Sequence, residues 1–323
     1  MSLANRAASD HFFLRMKFRA WLILLVLANF LDSRAGEIFR VAAYNVENYL
    51  DQPTEQRAHI KTAEARAKIR EGIRAMNPDV LALEEMGTTN ALLELRDSLK
   101  KDGLDFPFWE HIQGFDTNIH IAVLSRLPII ARHPYTNDFF LLDGKQFQVK
   151  RGFIELEIQA ATNFSFTLLT AHLKSQLTEN GADEAEQRLG EAKILRGIID
   201  AKLKSDPGAK IIVAGDLNDG KDSESTKAII GRGKTRLFDT RPAERNGDTM
   251  TAAPPYNEPR NSAWTYFYGK TDTYTRIDFI LLSPAMKRFW KADETYIPKI
   301  PDWGVGSDHR PVVAGFSTRA TER

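Results

Sequence analysis

Short apolar runs alternate with helical patterns from about residue 36 to residue 316, and no low-complexity segment or linker interrupts them. Apolar residues bounded by polar turns are typical of strands. The strand-like segments are IFRVAAYNVEN, DVLALEE, HIAVLSRLPII, KRGFIELEIQ, FSFTLLTAHLKS, KIIVAGDLND, TRIDFILLS and PVVAGF. This alternation predicts one compact α/β domain at 36–318, followed by a short C-terminal tail at 319–323.

Three longer segments have apolar residues at helical spacing. The first runs from Arg57 to Met76 and stops at Asn77-Pro78, because proline disfavours further helix. The second runs from Asn90 to Lys101 and is closed by Gly103, which favours a left-handed cap. The third runs from Asp183 to Leu203 and ends before a Pro-Gly pair.

The first 35 residues have a different pattern. From Met16, a possible true start, basic residues precede an apolar run of 12 residues from Ala20 to Leu31, and Ser33-Arg34-Ala35 forms a small-x-small cleavage pattern before Gly36. A bilayer span needs about 20 residues. We therefore predict a signal peptide at 1–35, a secreted or periplasmic protein, and no membrane span after signal removal. A buried N-terminal helix and an uncleaved anchor are the alternatives.

Composition narrows the possible classes of function. A chain of 323 residues with 42% hydrophobic and 27% charged residues can bury a core, so disorder is not expected. The absence of cysteine excludes disulfides, thiolate metal sites and cysteine nucleophiles. The leader holds five basic and two acidic side chains against a net charge of +1 for the whole chain, so the remainder lacks the basic excess usual in nucleic-acid binders.

Polar side chains gather where the predicted strands end or are interrupted. They are Asn45, Glu85, His172, Asp216, Asn218, Asp278, Asp308 and His309. A single carboxylate at a strand end is more often a cap or an ion-pair partner than part of a site. Their recurrence at several strand ends favours one shared site, because loops at the edge of a rigid sheet commonly carry catalytic groups.

Oxygen donors dominate this set. Glu85, Asp216, Asp308 and the amide of Asn218 or Asn45 would suit Mg²⁺, with Mn²⁺ or Ca²⁺ as alternatives, rather than zinc. Such an ion beside a histidine fits hydrolysis of a phosphate ester. The metal neutralises charge on the phosphoryl oxygens while an acid or base handles the water and the leaving group.

His309 needs a carboxylate other than Asp308, because adjacent strand residues point to opposite sides. Asp278 is the candidate, since it interrupts an apolar strand where an unpaired carboxylate is costly. Pairing with Asp278 would fix the tautomer of His309 and favour its imidazolium form. Asp216 could orient or deprotonate the attacking water. Further groups could donate hydrogen bonds to the phosphate: Asn45, Asn218, His172 and Arg151.

Six segments in order carry a resemblance to a known family. YNVENYLD, LALEEM, TAHLKS, VAGDLND, TRIDFILL and GSDHRPV resemble the endonuclease/exonuclease/phosphatase superfamily with a deoxyribonuclease-I-like fold, and most closely its secreted bacterial nucleases. Each motif is weak alone, but together they cover residues 40–316. The resemblance implies a metal-dependent phosphoester hydrolase. It also implies a four-layer α/β/β/α sandwich of two mixed, mostly antiparallel sheets packed face to face, with helices outside and the site at one edge.

The resemblance implies roles for individual residues as well. Glu85 is similar to the family's metal-binding glutamate, although Glu84 stands where the family has glutamine. Asn45 matches the first-strand asparagine near the metal, and Asp308 matches the second metal-side acid. Arg151 falls where many members place a phosphate-contacting arginine, with a simple strand-edge charge as the alternative.

The remaining matches concern the reacting groups. Asp216 and Asn218 match the family's Asp-x-Asn pair, which aligns water and phosphate. Asp278 and His309 match its acid–histidine dyad, and His172 matches a histidine of the secreted nucleases and of some phosphodiesterases.

Two segments bear on the substrate. The aromatic residues of WTYFYGKTDTY could stack on bases, although alternating aromatics on a strand more often serve as half-buried packing. The segment NDFFLLDG could expose apolar side chains to a membrane, or form a hairpin with LDGK as its turn.

From these observations we predict an exported, monomeric nuclease that hydrolyses DNA or RNA phosphodiester bonds. The alternative is a phosphatase or phosphodiesterase acting on a small or lipid phosphoester, similar to a sphingomyelinase or an inositol-phosphate enzyme. A non-enzymatic binding module is disfavoured, because every catalytic position holds a competent residue.

Overall fold

Two six-stranded sheets form the centre of the computed structural model, which describes residues 36–177, 183–244 and 261–320. The residues from Ile38 onward cluster as one compact unit. The predicted signal peptide at 1–35 and the last three residues of the predicted tail lie outside the described residues. Within the described ranges, no helix has the length and apolar character needed to cross a membrane.

The secondary structure is numbered in chain order. The strands are β1 (Ile38–Tyr49), β2 (Val80–Met86), β3 (Phe108–Ile112), β4 (His120–Ser125), β5 (Ile129–Tyr135), β6 (Phe139–Leu142), β7 (Lys145–Gln148), β8 (Phe153–Ala161), β9 (Phe164–His172), β10 (Ile211–Asp216), β11 (Phe238–Asp239), β12 (Tyr266–Tyr268), β13 (Thr273–Thr275), β14 (Asp278–Leu282), β15 (Trp290–Tyr296) and β16 (Val312–Ser317). The helices are α1 (Ala63–Met76), α2 (Thr89–Lys101), α3 (Glu184–Ser205), α4 (Glu224–Ile230) and α5 (Pro284–Lys287).

Both large sheets are mixed. The first has the strand order β15-β16-β1-β2-β4-β3, and the second has the order β11-β14-β10-β9-β8-β5. One parallel pair lies in each sheet, β1 with β2 and β9 with β10. The other pairs between the numbered strands are antiparallel, including the separate hairpins β6–β7 and β12–β13.

Apolar side chains fill three separate layers of contact. Between the sheets, the ring of Phe39 stacks on Phe166 and Phe316 at centroid distances of 5.1 and 5.4 Å. Helices α1 and α2 cover the outer face of the first sheet, and α3 and α4 cover that of the second. The four-layer sandwich with its two mostly antiparallel sheets is therefore confirmed.

The predicted start of the first helix at Arg57 is wrong. Helix α1 begins at Ala63, because the Thr62 side chain accepts a hydrogen bond from the backbone N–H of Ala65 and caps the helix. Upstream, Thr54 and Arg57 exchange two backbone hydrogen bonds of 3.0 and 3.2 Å and close a reverse turn. Arg57 thus belongs to the loop between β1 and α1. The other two helices begin within one residue of their predicted starts.

The segment HIAVLSRLPII is also not the single strand that its pattern suggests. It forms β4 in the first sheet and β5 in the second. The Ser125 hydroxyl donates to the Leu127 carbonyl (2.7 Å) and accepts from the Leu127 N–H (3.0 Å), which turns the chain. Pro128 follows and has no N–H to continue the ladder. The chain crosses from one sheet to the other at this turn.

The segment TRIDFILLS is divided as well. Strand β13 ends at Thr275, and β14 begins at Asp278, so Asp278 opens a strand rather than interrupting one. The N–H groups of Ile277 and Asp278 both donate to the Thr265 hydroxyl, at 3.1 and 3.2 Å. This break leaves the Asp278 side chain at the end of the sandwich where β10 also ends.

Gly215 allows a close approach of backbone just before Asp216. Its φ of +138° is unfavourable for any residue with a Cβ, and a Cβ there would lie 2.1 Å from the Ala171 carbonyl oxygen. By contrast, a Cβ on Gly197, which is exposed on α3, would meet nothing within 4 Å.

We expect Gly215→Ala to lower the free energy of unfolding by about 2–4 kcal/mol, through backbone strain and overlap with β9. The matched change Gly197→Ala should raise it by about 1 kcal/mol, since alanine is the better helix former. Urea unfolding followed by circular dichroism measures both. Equal stabilities for the two variants would contradict this account of Gly215.

Candidate active site

A cleft of about 450 Å³ opens at one end of the sandwich, where strands from both sheets end. Its lining residues are Glu47, Asn48, Arg57, Glu85, Arg151, His172, Ser175, Gln176, Leu177, Asp216, Asn218, Tyr266, Tyr268, Thr273, Thr275, Ile277, Asp308 and His309. Most of the sequence-predicted site residues therefore line one space. Asn45 and Asp278 lie directly behind this lining through hydrogen bonds to Asp216 and His309.

Two neighbouring irregularities in the first sheet shape the part of the cleft that is lined by Glu47, Asn48 and Glu85. The register of β1 on β2 shifts within 45–49, and that of β2 on β4 shifts within 83–86. Glu47, Asn48 and Glu85 have positive φ angles of 43°, 56° and 62°. Positive φ is strained for residues other than glycine and concentrates at functional sites. Bulges of this kind re-aim side chains at the end of a strand.

The second irregularity separates the two adjacent acids of LALEEM. Glu84 is fully buried between the sheets, and neither of its carboxyl oxygens has a hydrogen-bond partner among the described residues. The Glu85 side chain is 18% exposed and faces the cleft. Of these two acids, only Glu85 is placed to meet a metal or a substrate.

Asn45 links carboxylates that come from different sheets. Its Nδ2 lies 3.0 Å from Asp216 Oδ2 and 3.4 Å from Glu85 Oε1. The Ser307 hydroxyl donates to the Asn45 carbonyl at 2.7 Å, and the same hydroxyl accepts from the His309 N–H at 3.0 Å. The end of β1 is thus tied to both halves of the cleft.

His309 is held by Asp278. Its Nδ1 lies 2.9 Å from Asp278 Oδ2, and both residues are buried. Burial alone would lower the pKa of His309, but the carboxylates of Asp278 and Asp216 outweigh it and raise that pKa well above its usual value. The neighbouring carboxylates therefore favour the imidazolium form of His309. Its Nε2 is turned toward Asp216 Oδ2 (3.8 Å) and Asp308 Oδ1 (4.0 Å).

Asp216 lies at the centre of these contacts. Its Oδ1 accepts the Asn218 N–H at 2.7 Å, and its Oδ2 lies 3.6 Å from His172 Nε2. Burial raises the pKa of Asp216 to about 7; Asp278 adds to the shift and His309 opposes it. Burial also lowers the pKa of His172 well below its usual value, with Arg151 adding to the shift. His172 is therefore a neutral donor or acceptor beside Asp216.

Arg151 is fixed at the side of the cleft. Its Nε lies 3.3 Å from Asp116 Oδ2, and its Nη1 donates to the Leu173 carbonyl at 3.1 Å. Asn218 binds the same carbonyl through Nδ2 at 2.9 Å. Asp308, whose side chain is 41% exposed, stands nearer the opening.

The oxygen-rich donor set fits a divalent cation. Burial raises the pKa of Asp308 to about 6, with Glu47 and Glu85 adding to the shift and His309 opposing it. Together with Asp216, this carboxylate belongs to a group whose negative charges repel one another. Of the predicted ligands, Glu85, Asp308 and Asp216 offer carboxylate oxygens to a hard cation, which would relieve that repulsion. The fourth predicted ligand, Asn45, instead directs its Nδ2 at Asp216 and Glu85, and its Oδ1 accepts the Glu47 N–H at 2.9 Å.

Among the described residues, one grouping of acids and histidine has ligand-type geometry, and it is not the predicted set. Atoms of Asp216, Asp278 and His309 lie within 4.8 Å of one another, close enough to share an ion. His309 Nδ1 is already bonded to Asp278, however, and His309 is positively charged. These three residues are better described as an acid–histidine pair facing a second acid.

The aromatic hairpin β12–β13 forms a wall of the cleft. Tyr266 and Tyr268 line it, and the Tyr266 ring lies 4.8 Å from that of His309. Phe267 instead stacks on Tyr274 at 4.6 Å, which in turn contacts Trp264. The packing alternative therefore holds for the face with Phe267, whereas stacking of Tyr266 and Tyr268 on bases stays a prediction. Burial raises the pKa of Tyr266 to about 12, so its hydroxyl stays protonated near neutral pH.

Arg57 is a cleft residue that the sequence pattern did not reveal. Its Nη1 binds Asn48 Oδ1 and lies 3.8 Å from Glu85 Oε2. Assigning Arg57 to a helix concealed it. The signal that could have placed it in a loop is Thr62, a preferred N-cap residue directly before the run of α1.

Comparison with known proteins agrees with the fold and identifies the family. The family model for the Endonuclease/Exonuclease/phosphatase family matches residues 42–309, so the chain belongs to this family. It is a metal-dependent phosphoester hydrolase. No curated protein matches the chain.

Solved structures share the fold at low sequence identity. The human Nocturnin catalytic domain with bound sulfate is 17% identical, with a TM-score of 0.58 over 87% of this chain and 94% of that one. Truncated TDP2 from Caenorhabditis elegans is 17% identical, with a TM-score of 0.54 over 87% and 97%. Sphingomyelinase C from Streptomyces griseocarneus is 17% identical, with a TM-score of 0.57 over 87% and 100%.

Metal binding should stabilise the protein more at high pH than at low pH. The folded pKa values of Asp216 (about 7) and Asp308 (about 6) lie above the usual value of 3.8, so the stability of the metal-free protein falls as these groups ionise between about pH 4 and 7. A cation binds the ionised form and offsets this loss. At about a hundredfold excess over Kd, we expect Mg²⁺ to raise Tm by roughly 5 °C near pH 8.

Thermal unfolding with Mg²⁺ or EDTA, near pH 5 and near pH 8, measures this effect. Glu85→Gln is the control, because it removes a proposed ligand charge with little change of shape. The same gain in Tm at both pH values, or an undiminished gain in Glu85→Gln, would contradict the assignment.

Proposed function

We propose that this chain is an exported nuclease that uses a divalent cation, most simply Mg²⁺, to hydrolyse phosphodiester bonds of DNA or RNA. The observation that carries the proposal is the charged His309, bonded to Asp278 and directed at Asp216 inside a cleft rich in oxygen ligands. A phosphate bound there would meet a cationic donor on one side and a potential base on the other.

His309 acts through its charge. Because its pKa is well above the usual value, it stays protonated near neutral pH and donates from Nε2 to a phosphoryl oxygen. Asp278 accepts from Nδ1 and so fixes the ring orientation. A bound divalent cation would neutralise further charge on the phosphoryl oxygens.

Asp216 is the proposed base for the attacking water. A pKa of about 7 is close to the working pH, which favours proton transfer in either direction. The Asn218 N–H and the Asn45 amide hold its carboxylate in place. His172, neutral and 3.6 Å away, can donate to the same carboxylate or to the phosphate, and Arg151 adds positive charge beside it.

The surroundings of the cleft support a nucleic-acid substrate. Tyr266 and Tyr268 offer ring faces for stacking, while Arg57 and Arg151 place positive charge in the same space. Local arginines of this kind can grip a few phosphates although the chain after the leader has no basic excess. The protein is proposed to act as a monomer.

A lipid phosphoester is the second candidate, and one observation favours it. Phe139 and Leu141 project from the hairpin β6–β7 and are 54% and 68% exposed. The intervening Phe140 packs against α3, where a Cβ on Gly190 would meet its ring. Exposed apolar side chains on a hairpin suit contact with a membrane surface.

Removal of His309 should abolish most activity. We expect His309→Ala to lower nicking of supercoiled plasmid by a factor of about 10² or more, because it deletes the charged donor at the phosphate. His133→Ala, an exposed histidine on β5, should stay within about twofold of the wild type. EDTA should stop plasmid nicking by the wild type and by His133→Ala.

The assay also separates the two candidate functions. Intact plasmid together with metal-dependent turnover of bis-p-nitrophenyl phosphate would move the assignment to a small or lipid phosphoester. Plasmid nicking retained in His309→Ala would contradict the catalytic role of the dyad.

Export is proposed from the leader at 1–35. Expression of the full chain in a bacterial host should release a mature protein that begins at Gly36, as read by N-terminal sequencing or mass spectrometry. Ala35→Phe should block cleavage, because the position before the cut accepts only small residues. Wild-type protein that stays in the cytoplasm with its leader attached would contradict export.

A further inference from the structure

The backbone of Arg57 is fixed by a turn that does not involve its charged group. The turn is closed by the two backbone hydrogen bonds between Thr54 and Arg57. Next to it, the Gln56 side chain accepts a hydrogen bond from Asn118 Nδ2 at 3.0 Å, which ties the turn to the loop before β4. The segment predicted as the start of a helix is thus a turn that fixes the position of Arg57.

The guanidinium keeps donors available for a ligand. Nη1 binds Asn48 Oδ1, but Nε and Nη2 make no hydrogen bond within the part of the chain that the structure describes. The side chain is 27% exposed and lines the cleft. Arg151 differs, since its side chain is only 7% exposed and is bound by Asp116 and by a backbone carbonyl.

Glu85 lies between Arg57 and Asn45. Oε1 of Glu85 faces Asn45, which reaches on to Asp216, whereas Oε2 faces Asn48 and Arg57. A phosphate at His309 Nε2 and Asp216 therefore lies on the inner side of this carboxylate. Arg57 lies on the outer side, in the same cleft.

We propose that Arg57 binds the phosphate next to the scissile one along a nucleic-acid strand, and that this contact makes the enzyme prefer a polynucleotide to an isolated phosphodiester. The inference rests on the proposed nuclease function. A planar guanidinium with free donors is suited to a phosphate, and repeated phosphates are what distinguish a strand from a single ester.

The test compares substrates with one phosphate and with several. We expect Arg57→Ala to lower kcat/KM on a short oligothymidylate about tenfold, while turnover of bis-p-nitrophenyl phosphate and of the dinucleotide TpT changes less than about twofold. Arg57→Lys should recover part of the lost kcat/KM, because lysine keeps the positive charge but lacks the planar pair of N–H donors. Arg74→Ala, an exposed arginine on α1, is the control and should match the wild type on every substrate.

Binding provides a readout that needs no turnover. In a His309→Ala background with EDTA, fluorescence anisotropy of labelled oligothymidylate gives the slope of log affinity against log salt. Loss of one phosphate contact should reduce that slope by about 0.7 in Arg57→Ala.

Equal loss of activity on oligothymidylate and on bis-p-nitrophenyl phosphate would overturn this role, since Arg57 would then act on the scissile phosphate or on Glu85. An unchanged salt slope would overturn it too. Wild-type protein that turns over bis-p-nitrophenyl phosphate but neither cleaves nor binds nucleic acid would instead overturn the proposed function itself, and this role with it.

Discussion

Two carboxylates, Asp216 and Asp278, are buried side by side where the two sheets meet. The other groups of the site compensate the cost of burying these two acids. Burying a carboxylate away from water is costly unless a cation or several donors compensate it. His309 supplies the cation to both acids, and the amides of Asn45 and Asn218 supply donors to Asp216. These partners come from both sheets. The hydrogen bonds and ion pairs of the charged centre therefore also connect one sheet to the other.

Several departures of the backbone from regular geometry lie together at the cleft. The register shifts in β1 and β2 and the left-handed residues Glu47, Asn48 and Glu85 all lie at the cleft. Each such residue costs about 1–3 kcal/mol, which the packed layers of the sandwich can carry. The strain turns Glu85 toward substrate and places Arg57 and Asn48 beside it. The strained residues thus lower the stability of the fold but hold the hydrogen-bonding groups of the cleft in fixed positions.

Much of this could be predicted from sequence, because polar residues after apolar strands mark a sheet edge. Asp216 and His309 were placed in one cleft by that pattern alone, and the family resemblance supplied the sandwich. The division of the chain at Ser125 to Pro128 could not be predicted, since an apolar run looks the same whether it serves one sheet or two. Arg57 was missed because the spacing of apolar residues identifies the helix but not its first residue, which the cap at Thr62 sets. Side-chain direction at the bulges depends on pairing with distant strands, which no local pattern records.

Glu84 changes how the charge of this protein should be counted. Burial, with Asp278 and Asp216 nearby, raises its pKa well above the usual value and so favours the neutral acid in the folded protein. A protonated carboxyl has nearly the shape of an amide and the same lack of charge. Glutamate in place of the expected glutamine at position 84 therefore changes the sequence but hardly changes the shape or charge of the side chain. In that neutral form, Glu84 contributes none of the negative charge that a count over the sequence assigns to it.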